Sequence, residues 1–134
     1  MPVAIRNQQR LHKVATARLK KLAQRALDLL DAGDGNLSLV LVDDAGIREL
    51  NREFHATDAP TDVLSFDYGE GELEVIVSVE RAVAVAEQYR NTASRELALY
   101  IIHGILHLHG YGDLTPAKRR RMRAAERRLL KALL

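Results

Sequence analysis

The chain has 134 residues and a net charge of +2, which leaves room for one domain with one core. Apolar residues make up 47% and charged residues 28%, with no Trp and few aromatics, so a globular domain with an aliphatic core is expected. The absence of cysteine excludes disulfides, thiolate zinc sites and a cysteine nucleophile, while the lack of any long apolar run or signal-like N-terminus argues for a cytoplasmic protein with no membrane partner.

Val3–Asn7 reads as a short first strand. Leu11, Val14, Ala15, Leu19, Leu22, Ala23, Leu27 and Leu30 recur at helical spacing and predict one long amphipathic helix, ended by Gly33 and Gly35. Leu37–Val42 is a buried strand by its aliphatic run. Asp43 or Asp44 can cap a short helix carrying Ile47, Leu50, Asn51 and Phe54. A loop over 55–62 then leads to a strand at Val63–Phe66. Gly69–Gly71 turns the chain into a further strand, Leu73–Val79. A helix is expected over Glu80–Arg90, and Thr92 or Ser94 begins the next one. Its apolar residues run from Leu97 to Leu108, and Gly110 stops it. Thr115 and Pro116 form an N-cap and first-turn proline for a last helix that runs close to Leu134. The expectation is one α+β domain over residues 1–134, a mixed sheet of about four strands flanked by helices.

Charge is segregated along the chain. Residues 1–26 carry seven Lys/Arg and no acid, and residues 118–134 carry eight with Glu126 as the one acid. The middle carries a net −12. Lys20, Lys21, Arg119, Arg120 and Arg121 on the basic end helices are candidates for phosphate contact, although a solvated face paired with the acidic middle has the same pattern. No RNP, KH or zinc-finger signature accompanies them.

The segment His103–Asp113 carries the chemistry. His103 and His107 stand four residues apart on a predicted helix, so both imidazoles share one face and can grip one divalent metal. Gly110 lets the chain turn, and Asp113 can swing back with a carboxylate oxygen. Three protein ligands and an open position for water is the arrangement of a catalytic zinc site on a zincin-like helix. His109 competes as third ligand, but two residues beyond His107 it projects about 200° away. The layout has metzincin spacing, but Gly104 follows the first His where those proteases carry their Glu base, which argues against a peptidase. Two core histidines bonded to backbone would have the same i, i+4 spacing.

Two blocks together resemble the YbeY family of bacterial rRNA maturation factors. Leu50–Phe66 is similar to the family's LN-x-x-[FY]-R-x-x-D-x-P-T-D-V-L-S-F, through Asn51, Phe54, Asp58, Pro60, Thr61, Asp62 and the strand that follows. His103–Asp113 is similar to H-G-x-L-H-L-x-G-Y-D-H, and Met122 and Glu126 match the family's M-x-x-x-E. The resemblance spans roughly residues 37–130. It implies a metal-dependent endoribonuclease specific for single-stranded RNA, acting in small-subunit rRNA 3′ end processing and ribosome quality control. It also implies one zinc ion held by three residues of the second block, here His103, His107 and Asp113.

Three positions depart from the pattern. The third family His is Asp113, preceded by Gly112; a carboxylate still ligates zinc, and it makes manganese or another hard divalent ion more competitive. The family's substrate-contacting Arg is His55, which can meet a phosphate only without the permanent charge and fork of Arg. Leu73-Glu74 replaces a Gly-Asp pair and keeps a carboxylate on a longer arm. Ser65 is a further candidate in the first block. The expected partners are rRNA and the ribosomal small subunit or its proteins, with the chain a monomer. The alternative is a non-catalytic, metal-stabilised assembly factor that binds rRNA or a ribosomal protein.

Overall fold

The computed structural model describes residues 1–55 and 61–134. The side chain of His55, and Asp58 and Pro60 of the first block, lie outside the described residues. The elements run β1 (Val3–Asn7), α1 (Thr16–Leu29), β2 (Asn36–Val42), α2 (Asp44–His55), β3 (Val63–Asp67), β4 (Glu72–Ser78), α3 (Val79–Gln88), α4 (Ala93–Leu108) and α5 (Pro116–Leu133). The strands form one sheet in the order β1-β2-β4-β3, in which β3 alone is antiparallel to its neighbour. The α+β expectation of a four-stranded mixed sheet flanked by helices therefore holds.

Alternation along the strands sorts their side chains onto two faces. Leu37, Leu39, Leu41, Leu73, Val75 and Val77 point to the face covered by α1, α3, α4 and α5, where the larger core lies. Val40, Val42, Leu64 and Ile76 point the other way and meet Ile47 of α2. The central helix α4 is apolar almost all round, with Ile101, Ile102, Ile105 and Leu106 fully buried, so the larger core grips it on several sides.

The first helix starts later than its periodicity predicts, at Thr16 rather than near Leu11. The buried side chain of Gln9 explains the difference. Its Nε2 donates to the His12 carbonyl at 2.8 Å and its Oε1 accepts from the His12 N–H at 3.1 Å, so the segment satisfies its backbone without helical bonds. The helix also ends before the predicted glycines. Asp31 takes the left-handed conformation at φ 53°, and the Ala32 N–H closes back on the Leu27 carbonyl at 3.0 Å. At α2 the choice of cap falls to Asp43, whose Oδ1 accepts from the Gly46 N–H at 2.7 Å. Thr92 rather than Ser94 caps α4, and Thr115 caps α5 as expected.

Candidate metal and RNA site

Gly104 sets how closely α4 approaches the sheet. A Cβ built there would lie 2.7 Å from Val75 Cγ1, 3.0 Å from Ser65 Oγ and 3.1 Å from Val63 Cγ2. Ser65 Oγ donates to the Gly104 carbonyl at 3.0 Å, so Ser65 braces the helix against β3. The position that holds a glutamate base in the proteases is thus filled by the sheet itself. His103, immediately before this contact, and His107, three residues after it, share one helix face, with ring centroids 6.2 Å apart and planes within 12° of parallel.

Each ring is anchored through Nδ1. The His103 Nδ1–H donates to Glu126 Oε1 at 2.7 Å, and Glu126 reaches it from α5. The His107 Nδ1–H donates to the Tyr111 carbonyl at 3.0 Å. That carbonyl arrives through the turn at Gly110, whose φ of 97° lets the Tyr111 N–H close on the Leu106 carbonyl at 3.1 Å. Both acceptors are pure oxygen acceptors, so both Nδ1 atoms carry protons and the Nε2 lone pairs remain for a cation. His109 is different. Its Nδ1–H turns back onto the Ile105 carbonyl at 2.7 Å and satisfies the end of its own helix.

Asp113 lies beside His103, with Oδ2 4.0 Å from Nε2. Two metal–ligand bonds of about 2.1 Å each span at most about 4.2 Å, so these two donors stand within the reach of one cation. Among the described residues no three His, Asp or Glu side chains are already gathered as a closed trio. Asp113 sits on the loop after α4 with 45% of its side chain exposed, whereas His103 is 29% and Glu126 14% exposed. The donor set, two anchored imidazoles and a carboxylate on a loop, fits a divalent metal such as zinc or manganese. Without a metal, the bond to Glu126 raises the pKa of His103 above its ordinary value, with burial opposing and the charges of Glu126, Asp62 and Asp113 assisting.

Beside His107 is a cavity of about 240 Å³ lined by Tyr111, the turn glycines, Lys118 and Arg121. Arg119 donates to the Asp113 carbonyl at 3.1 Å. Arg121 of the basic candidates thus reaches the site and Arg119 holds its loop, while Arg120 is simply exposed. Lys20 and Lys21 are exposed on α1, and no described contact joins them to the site. Glu74 lies on the other face of the sheet, where it accepts from the Tyr68 hydroxyl at 2.7 Å and pairs with Arg6 at 3.6 Å. It does not bring a carboxylate to His103. The sequence pattern matched Glu126 without assigning it a role; a lone acid in a helix of eight bases is the trace that pointed to it. Lys118 was hidden among the other bases of that helix.

Fold and site together define an α+β protein whose central helix presents two anchored imidazoles next to carboxylates and a cationic cavity. A family model described as "Endoribonuclease YbeY" matches residues 4–134. The chain is 40% identical to an endoribonuclease YbeY of Geobacter metallireducens over 99% of this chain and 96% of that protein, and 38% identical to one of Geobacter sulfurreducens over the same shares. Its structure is similar to the solution structure of TM1509 from Thermotoga maritima, with a TM-score of 0.70 and 27% identity over 98% of this chain and 88% of that one. The chain belongs to the YbeY endoribonuclease family, which are hydrolases acting on RNA. No helix among the described residues is long and apolar enough to cross a membrane.

Proposed function

We propose that residues 1–134 form one metal-dependent endoribonuclease domain that cuts single-stranded RNA, in small-subunit rRNA 3′ end maturation and ribosome quality control in the cytoplasm. His103, His107 and Asp113 hold one divalent cation, zinc or, because the third ligand is a carboxylate, manganese. The observation that carries this reading is His103 itself. Its Nδ1 is fixed by Glu126 at 2.7 Å and its Nε2 faces Asp113 at 4.0 Å, while His107 on the same helix face lines a cleft that also presents Lys118 and Arg121.

These residues would hold the cation, which would supply Lewis-acid polarisation of a phosphoryl oxygen and of a water molecule. The chain's own residues do the rest. Glu126 keeps the Nδ1 proton on His103 and so keeps Nε2 turned outward. The Tyr111 carbonyl does the same for His107. Lys118 and Arg121 face the phosphates with permanent charge, and Arg119 holds the loop that carries Asp113. His55, at the end of α2, is the further phosphate contact that the family pattern suggests. The partners are rRNA and the ribosomal small subunit or its proteins, met by the chain as a monomer.

The test is cleavage of a labelled single-stranded RNA by purified protein, with and without chelator. Cleavage should stop with chelator and fall at least a hundredfold in His103→Ala, whereas equal rates for variant and parent would overturn the assignment. Elemental analysis of protein purified without added metal, repeated on Asp113→Ala, should show one ion per chain and its loss. Metal-loaded protein that binds ribosomes and cuts nothing would favour the non-catalytic assembly factor.

A further inference from the structure

At the opposite end of α4 the charged side chains that line two adjoining cavities are all basic, while Glu96 of its first turn lines a separate cleft with Asp62 and Arg81. A cavity of about 340 Å³ lies between α1 and the first turn of α4, with Lys13, Arg18 and Arg95 on its rim and Leu22, Val83 and Leu97 among its floor residues. A second cavity, of about 460 Å³, shares Arg95 and Leu134 with it and adds Arg127 and Lys131 of α5. No Asp or Glu lines either one. Among the described residues none of these five basic side chains forms an ion pair. Like charges gathered without an acidic side chain among them repel one another, so a bound anion lowers the energy of the arrangement.

A basic ridge connects this place to the candidate cleavage site. Arg119, Arg123 and Arg127 are exposed and follow each other at four-residue spacing on α5, which puts them on one face. Arg119 holds the Asp113 loop, and Arg127 lines the second cavity. Glu126, the one acid on the helix, is turned to His103 and neutralises none of the three. Along α4, Arg95 lies eight residues before His103, on the order of 12 Å at 1.5 Å per residue. That is about three to four nucleotides of stacked strand at 3.4 Å each.

We propose that the joined cavities are a second RNA subsite, which takes the backbone phosphates of the same strand several nucleotides from the scissile bond. The apolar floor accommodates ribose and base, and the five cations meet the phosphates without reading sequence. The inference rests on the ribonuclease reading for its ligand. Its consequence is length dependence: a strand that spans both ends of α4 is held by more phosphate contacts than a short one.

Fluorescence anisotropy with labelled oligouridines of about 16 and about 2 nucleotides, the second too short to span both ends of α4, tests it. In Arg18→Gln/Arg95→Gln the dissociation constant for the long strand should rise about tenfold, and that for the short strand less than twofold. The slope of log affinity against log salt should flatten by about 1.4, at about 0.7 per lost phosphate contact on a single strand. In cleavage of the long strand the loss should fall on KM and not on kcat. Arg127→Gln/Lys131→Gln should behave in the same way, and it leaves α1 and α4 untouched should the first pair disturb folding. Equal effects on both lengths, or an unchanged salt slope, would overturn the subsite. Its failure is separable from that of the ribonuclease reading. Chelator-sensitive cleavage with length-independent variants removes the subsite alone, and length-dependent binding without any cleavage removes the nuclease alone.

Discussion

The two faces of the sheet are built to different standards. On one, α1, α3, α4 and α5 close over a continuous aliphatic core that runs from Val3 to Leu130. On the other, among the described residues, Ile47 of α2 meets only Val40, Val42, Leu64 and Ile76, with Leu50 and Phe66 half-buried at the edge. Every anchored donor lies on the first face. His103 and His107 project from a helix held by the fully buried Ile101, Ile102, Ile105 and Leu106, and Glu126 comes from a helix held by Met122, Ala125 and Leu129. The second face carries Glu74, which is occupied by Tyr68 and Arg6, and the helix that ends at His55. The two histidines proposed as metal ligands are placed where packing is tight, and the phosphate contact proposed for His55 falls at the end of a helix on the thinner face.

The most damaging way to break this contrast is Gly104→Glu. Its Cβ alone would meet Val75 Cγ1 at 2.7 Å, so the helix would have to leave the sheet. No cooperative unfolding transition is expected by circular dichroism, and Gly104→Ala should cost about 1–3 kcal/mol by denaturant titration. Next in size is Glu126→Gln, which keeps an oxygen near His103 Nδ1 and removes the charge. Metal affinity measured against a competing chelator should fall about 10- to 100-fold with the fold intact. An unchanged affinity would detach Glu126 from the site.

Ile47→Val sharpens the comparison from the thin side. It should cost about 0.5–1.5 kcal/mol and accelerate amide exchange in α2 while the amides of α4 stay protected. Equal acceleration in both helices would mean that the two faces open together.

The smallest effect is on pH. In metal-free protein the folded-state pKa of His103 is raised above 6.5, chiefly by its bond to Glu126. Its contribution to stability is therefore complete below pH 6.5 and is lost as pH rises through the higher folded value. Thermal scans in chelator should show that loss in the parent, and a flatter profile in Glu126→Gln. Protons also compete with the cation at this ring, so metal affinity should rise with pH over the same range.

Much of this was legible in one dimension because the relevant signals are local. Helical spacing put His103 and His107 on one face, and a glycine able to take φ 97° ended the helix between them and Asp113. The caps at Thr92 and Thr115 are short-range hydrogen bonds written in adjacent residues. The strands and their two faces follow from runs and alternation of apolar residues. The start of α1 escaped because a single amide, Gln9, competes with helical bonds through its side chain, and periodicity does not record that.

Tertiary structure decided what depends on separations of many residues. It brought Glu126 to His103 across 23 positions, put Glu74 on the opposite face, and revealed that Gly104 is small because Val75, Ser65 and Val63 occupy its space. It also divided the last basic segment, sending Arg121 to the histidines while Arg127 and Lys131 join Arg18 at the far end of α4. Charge and residue type are properties of a sequence, but which charges face one another depends on how the helices pack, and packing is set by the whole core at once.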